Sequence, residues 1–269
     1  MEGLYLYCIR EKTEDAPAIS ERGIDGKGEV FALAYRELEV FVSKVSMEEF
    51  SSEEIQKKAK EDLSWIKEKA IIHEKIIEEA MRRDDKVLSL IPMRFGIIFK
   101  EVEKLEKTLN EDYSRIKEVL DRIRDKQEWS VKVYLKDRKK IEQMIKEKSE
   151  VIKEKEKEIA SLSEGMAFFM EEELKDVISK EVNKELDNIA EDLFESLSKQ
   201  AAASVKSKIL EKELTGRREP MVLNSAYLIP REKIENFKKE AEGLNQKIQA
   251  KGFYLEHSGP WPVYNFTSY

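Results

Sequence analysis

The sequence predicts an α+β protein of two domains, the C-terminal one carrying a long charged helical hairpin. Strand-length apolar runs lie at 4–9, 30–35, 38–45, 87–91, 97–99, 128–135, 221–229 and 252–256. Between them, apolar residues recur at steps of three and four over 53–82, 101–123, 137–162, 166–214 and 231–249, which is helical spacing. The strands and helices do not alternate regularly, so the class is α+β rather than α/β. A short polar connection at 125–127 divides the chain into an N-terminal α+β domain, 1–126, and a C-terminal α+β domain, 127–269. The second domain reads strand, long helices, strand, helix, strand, which suits a split βαβ arrangement.

The first run, LYLYCI at 4–9, is apolar on both faces and reads as a central strand covered on both sides. A Gly-, Asp- and Glu-rich loop follows over 11–28. The runs at 30–35 and 38–45 are separated only by Arg36 and Glu37 and predict a hairpin. The stretch 47–54 carries a helix start that Ser51 or Ser52 can cap, and Glu54, three residues after Ser51, makes a capping box. The helix over 53–82 has its stripe at Ile55, Ala59, Leu63, Ile66, Ala70, His73, Ile77 and Ala80, and Asp84-Asp85 breaks it. The helix over 101–123 presents Val102, Leu105, Leu109, Tyr113, Ile116 and Leu120.

In the strand at 128–135, alternation places Trp129, Val131, Val133 and Leu135 inward and Ser130, Lys132 and Tyr134 outward. The stretch 137–162 is dense in Lys and Glu, with a thin stripe at Ile141, Met144, Ile152 and Ile159, and predicts a solvated helix ending at Gly165. The next helix, 166–214, has its stripe at Phe169, Leu174, Val177, Leu186, Ile189, Leu193, Leu197, Ala201, Val205 and Ile209. These helices of about 137–214 pair as a hairpin. An aromatic tail ends the chain.

Charged residues are 39% of the 269, with 49 Lys+Arg against 56 Asp+Glu, a balance that marks solvated helices rather than disorder. The net charge of −7 argues against a nucleic-acid partner, which calls for a basic face. The single cysteine, Cys8, permits no internal disulfide and no cysteine-based zinc site, and it reads as a small buried hydrophobe in a reducing cytoplasm. No signal peptide and no uncharged apolar run of membrane-spanning length is visible. The expectation is a soluble protein with no membrane partner.

Catalytic chemistry finds no support in the residues. Of the two histidines, His73 begins an HE pair without the later histidine of a zincin helix, and its place on the apolar stripe predicts a hydrogen-bonded core residue. GIDGKG at 23–28 leads into a strand rather than a helix, so it is an ordinary loop and not a dinucleotide cradle. No cofactor and no metal are expected. Two apolar–aromatic stretches remain. In PMRFGIIF at 92–99, Arg94 sits among apolar neighbours and must reach solvent or a partner, and Gly96 supplies a positive φ or a bulge. The plain reading is a bent core strand with a structural ion pair; the functional one is an edge or groove that receives a partner. In the tail at 259–266, two prolines stiffen the chain around Trp261, and Tyr264 and Phe266 add apolar area. The plain reading is that it folds back to seal its own domain or the crevice between domains; the alternative is docking on another protein. The candidate partner-binding residues are therefore Arg94, Phe95, Gly96, Phe99, Trp261, Tyr264 and Phe266.

Five motifs in order, GLYLYCI at 3–9, the HE pair at 73–74, LIPMRFGIIF at 90–99, EWSVKVY at 128–134 and SGPWPVYNF at 258–266, resemble the gas vesicle proteins of the GvpL/GvpF family. The resemblance spans nearly the whole chain, with 136–214 matching only in being long, helical and charged. It implies two α+β domains, the C-terminal one a modified ferredoxin-like fold. It implies a non-enzymatic accessory or structural role in gas vesicle formation, in the cytoplasm and at the vesicle. The implied partners are the major shell protein GvpA and other gas vesicle accessory proteins, with weak self-association as a further expectation. The competing reading is a general coiled-coil interaction scaffold unrelated to gas vesicles, held together through 137–214. A third, an enzyme on a ferredoxin-like sheet, predicts a pocket of converging polar groups.

Overall fold

The computed structural model describes residues 2–14, 19–83 and 86–267, with the side chains of 213 and 214 left aside. The chain forms two compact units, Met1–Glu128 with Pro260–Tyr269, and Trp129–Gly259.

The first unit is built on β1 (Glu2–Glu11), whose residues from Gly3 to Arg10 are all buried. Apolar side chains on both faces require cover on both sides and neighbours on both edges. The strand accordingly pairs with β3 (Leu38–Ser46) on one edge and with two short strands, β6 (Leu90–Pro92) and β7 (Ile98–Phe99), on the other. β2 (Val30–Tyr35) pairs antiparallel with β3 across the Arg36-Glu37 turn, where Arg36 takes a positive φ of 52°. The helices are α1 (Met47–Phe50), α2 (Ser52–Glu61), α3 (Leu63–Met81), α4 (Val102–Glu111) and α5 (Tyr113–Ile123). The small ladder β4 (Arg82–Arg83) with β5 (Lys86–Val87) closes α3. Asp84 and Asp85, expected as its break, lie outside the described residues, as do 15–18 of the 11–28 loop.

Both expected long helices of this unit are broken by polar residues. Asp62 ends α2 and caps α3, its carboxylate accepting from Trp65 N at 3.0 Å. Asp112 separates α4 from α5. A new helix start rotates the stripe: α3 buries Lys69, His73, Ile76, Ile77, Ala80 and Met81, while Ala59, Ala70 and Leu63, the last 65% exposed, face solvent. Val102 is exposed as well, whereas Leu105, Leu109, Ile116 and Leu120 are buried as expected.

The second unit holds a four-stranded sheet in the order β11-β8-β10-β9. Its strands are β8 (Lys126–Leu135), β9 (Ala203–Lys206), β10 (Met221–Pro230) and β11 (Phe253–Trp261). Trp129, Val131, Val133 and Leu135 enter one core with Leu223, Tyr227, Phe253 and Leu255. The helices α6 (Arg138–Lys148), α7 (Glu150–Ile159), α8 (Glu164–Ser198) and α10 (Ile234–Gln249) complete that core, and α9 (Lys212–Thr215) is a single turn. Ile141, Ile145, Ile152 and Ile159 bury against it. Ser149 divides α6 from α7 and accepts from Ile152 N.

Other expectations fail here too. The helix of 166–214 stops at Ser198, and Ala203–Lys206 is instead a strand antiparallel to β10, so Val205 pairs with Ala226. Gly165 lies inside α8 and does not break it. Tyr134 lies outside the core cluster that takes Trp129, Val131, Val133 and Leu135, as alternation predicts, but it is buried, stacked on Tyr254 at 5.1 Å with the Arg217 guanidinium 4.8 Å from its ring centre. The cover of a cation removes the cost that a bare aromatic face would carry in water.

Candidate functional site

The excursion of residues 93–97 between β6 and β7 is the distinctive feature of the first unit. β6 meets β1 at Cys8, Ile9 and Arg10, and β7 meets it at Leu4 and Tyr5. The intervening residues leave the ladder, and their polar backbone atoms are satisfied otherwise, as burial requires. Met93 N donates to Tyr7 O at 2.8 Å, and Leu6 N donates to Ile97 O at 2.9 Å. Gly96 N donates to the Tyr5 hydroxyl at 3.0 Å, and the His73 Nε2–H donates to Met93 O at 3.0 Å. That tautomer leaves Nδ1 to accept from the Tyr5 hydroxyl at 3.1 Å. Gly96 has φ +89°, a conformation costly to any residue with a Cβ.

Burial sets the electrostatics of this anchor. It holds His73 neutral, its pKa lowered to about 4 by desolvation against the Met93 hydrogen bond. It raises the Tyr5 phenol above its ordinary value and the Tyr7 phenol to about 12. The buried Cys8 thiol is likewise pushed up. Of these side chains His73 and Tyr5 fix the loop, while the Tyr7 hydroxyl accepts from Ile24 N at 2.8 Å and bonds Ser43 Oγ at 2.7 Å. The expectation of a hydrogen-bonded core histidine is met.

The loop turns its residues two ways. Phe95 packs edge-on against Tyr5 and His73, with centroids 6.1 and 5.9 Å apart. Arg94 and Ile97 face solvent. Of the two options for Arg94, solvent is the one realised. Phe99 sits in β7 opposite Leu4.

The chain's last residues belong to the same unit. Tyr264 joins the core around Tyr5, Tyr7 and Phe50, and its hydroxyl donates to Glu74 Oε2 at 2.8 Å. Asn265 donates from its backbone N at 3.0 Å and from Nδ2 at 2.6 Å to the two oxygens of Glu128. Arg122 Nη2 donates to Phe266 O at 2.9 Å. Desolvation raises the Glu74 carboxyl and takes Glu128 to about 7. Trp261 remains 39% exposed.

Loop and tail meet in an open cavity of about 290 Å³, lined by Ile91, Pro92, Met93, Arg94, Ile97, Tyr264 and Thr267. The structure thus brings together Arg94 and Tyr264 from two distant stretches of sequence, while Phe95 and Phe99 are spent on packing and pairing. Glu74, Glu128 and Asn265, which hold the tail, were not anticipated. A buried carboxylate at a strand start carries no periodicity signal that could reveal it. Among the described residues no group of three or more His, Cys, Asp or Glu side chains is arranged to hold a metal ion. No helix among them is long and apolar enough to cross a membrane.

A family model for gas vesicle synthesis protein GvpL/GvpF matches residues 3–268. The chain belongs to the GvpL/GvpF family. The match contains the loop, the tail and all seven candidate residues. Gas vesicle protein F of Nostoc sp. is 26% identical over 184 residues, 67% of this chain and 70% of that protein. Gas vesicle protein L of a Streptomyces species is 24% identical over 209 residues, 77% of this chain and 71% of that protein. The crystal structure of GvpF from Anabaena sp. superposes with a TM-score of 0.72 at 20% identity, covering 100% of this chain and 97% of that one. GvpF from Microcystis aeruginosa gives 0.67 at 20% identity, covering 99% of each chain. These two likenesses establish a shared mixed α and β fold.

Proposed function

We infer that this member of the family is a non-enzymatic accessory protein of gas vesicle formation that holds the shell protein GvpA before and during assembly. The observation that carries the reading is the cavity between loop 93–97 and the tail, inside a chain matched by the family model almost end to end. A shell that excludes water needs subunits with a strongly apolar face and open strand edges, and such subunits aggregate when free. Ile91, Pro92, Met93 and Ile97 offer apolar cover, and Arg94 at the rim offers a cation for a carboxylate or carbonyl of the bound segment. Phe95, Gly96 and Phe99 keep the loop in place; Trp261, Tyr264 and Phe266 hold or extend its border.

Further parts of the reading rest on other observations. Numbered along its own unit, the second sheet has the order 4-1-3-2 with helices between the first and second and between the third and fourth strands. That order supports a modified ferredoxin-like domain, the modification being the three helices α6 to α8 in the first connection. The compact units support a boundary at the start of β8. Membership of the family supports residence at the vesicle, in the cytoplasm, and contacts with other gas vesicle accessory proteins. The general scaffold reading is weaker, because the stripe of α8 that a coiled-coil partner would cover is buried in the unit's own core.

Complementation tests this reading. In a host whose own copy is deleted, the wild-type gene should restore gas vesicles and an Arg94→Glu, Ile97→Glu variant of equal abundance should not. Full restoration by the variant would remove the cavity from the proposal.

A further inference from the structure

The N-terminal turn of α8 breaks the rule that the rest of the helix follows. Its core-facing stripe runs through Ala167, Met170, Leu174, Ile178 and Val182, at helical steps. Met166, Phe168 and Phe169 lie off that stripe and are 58%, 61% and 72% exposed. Phe169, placed by periodicity among the core residues of this helix, is the most exposed of the three. Single exposed apolar residues are ordinary, and Leu63 or Val151 need no explanation. Three within four positions, with the two phenylalanine rings edge-to-face at 6.1 Å, form a patch that the fold does not use.

Along the chain the charged neighbours of the patch are acidic, and Lys146, which lines a cavity with Glu171, is paired with Glu156 at 3.6 Å. Glu164 precedes it, Glu171, Glu172 and Glu173 follow it, all four are exposed, and no Lys or Arg occurs between Lys157 and Lys175. Lys175 is itself committed to Glu172 at 2.6 Å. Such a rim repels an anionic lipid surface, and it repels a second copy of itself. It attracts a protein whose apolar recess is bordered by Lys or Arg.

We propose that Met166, Phe168 and Phe169 are the anchor of a second protein-binding surface, whose partner presents an apolar recess ringed by basic side chains. Apolar anchors inside a rim of complementary charge are the usual anatomy of a protein contact. The surface lies in the second compact unit and does not depend on the cavity of the first or on what binds there.

The test uses the full-length chain and a fluorescent amphipathic helical peptide with a leucine face bordered by lysines. A matched leucine–glutamate peptide and phosphatidylglycerol vesicles serve as the alternative probes. The lysine peptide should bind, more weakly as salt rises. A Phe168→Ser, Phe169→Ser variant, whose circular dichroism and unfolding should be those of wild type, should bind it at least about tenfold more weakly, a loss of about 1.4 kcal/mol. Reversing Glu171, Glu172 and Glu173 to Lys should transfer the preference to the glutamate peptide. Equal binding of the two peptides by the wild type, or no effect of the serine variant, would overturn the proposal. So would vesicle binding that the serine variant abolishes, or self-association that it abolishes, each of which would name a different occupant.

Discussion

Arg10 is buried with its donors committed. Its Nε and Nη2 donate to Glu39 Oε2 at 2.9 and 2.7 Å, and Nη1 donates to Ala80 O at 2.7 Å. Arg10 and Glu39 are direct cross-strand partners in β1 and β3. A buried pair is expensive to break and cheap to replace whole. Arg10→Met should therefore cost about 3–5 kcal/mol in urea unfolding, while Arg10→Met with Glu39→Leu should lie within about 2 kcal/mol of wild type. Two other buried groups set the response to pH, with opposite signs. The folded His73 titrates near 4, below its unfolded value of 6.5, so its contribution is complete above pH 6.5 and is lost as pH falls toward 4. The folded Glu128 titrates near 7, above its unfolded value of 4.5, so folding favours its protonated form and stability is lost as pH rises from 4.5 to 7. Glu74 shifts in the same direction as Glu128. The wild type should thus show a shallow profile between pH 4.5 and 6.5. Unfolding free energy of a Glu74→Gln, Glu128→Gln variant should rise with pH across that window, and that of His73→Gln should fall, each by on the order of 2 kcal/mol. Parallel profiles in the two variants would refute the opposed assignment.

At the scale of elements, what could be read from the sequence was what local pattern controls. Continuous apolar character marked β1 as central, and a two-residue gap marked the β2–β3 hairpin. Helix breaks were harder, because Asp62, Asp112 and Ser149 look like solvated helical residues until their geometry is seen. Asp62→Ala should cost about 1 kcal/mol by removing the cap on Trp65 N. The strand β9 could not be read, since Ala201, Val205 and Ile209 continue a helical step. Pairing with β10 overrides that helical step at the end of the long pattern, as tertiary context can. Gly252 shows the converse, a residue whose identity the fold demands. It has φ +90°, its carbonyl accepts from Lys136 N and Asp137 N, and an added Cβ would meet Asp137 O at 2.6 Å. Gly252→Ala should destabilise the second unit by about 2 kcal/mol or more, through strain and the displaced carbonyl. Thermal unfolding would check it.

For the whole molecule, chain order misleads at the end. The sequence reading assigned the tail to the C-terminal part, but Pro260–Tyr269 forms one compact unit with Met1–Glu128. Contacts such as Tyr264 to Glu74, 190 positions apart, have no signature in a single sequence. Half of the candidate site was nonetheless visible: the loop was singled out by an arginine among apolar residues, and the tail by its aromatic residues. Their convergence at Arg94 and Tyr264 required the fold. The most direct measurement is the affinity of the full-length protein, immobilised, for the purified shell subunit. If the first unit holds that subunit, the wild type binds it, and Arg94→Glu with Ile97→Glu weakens binding at least about tenfold without altering unfolding. Undiminished binding by that variant, or no binding by the wild type, would contradict it.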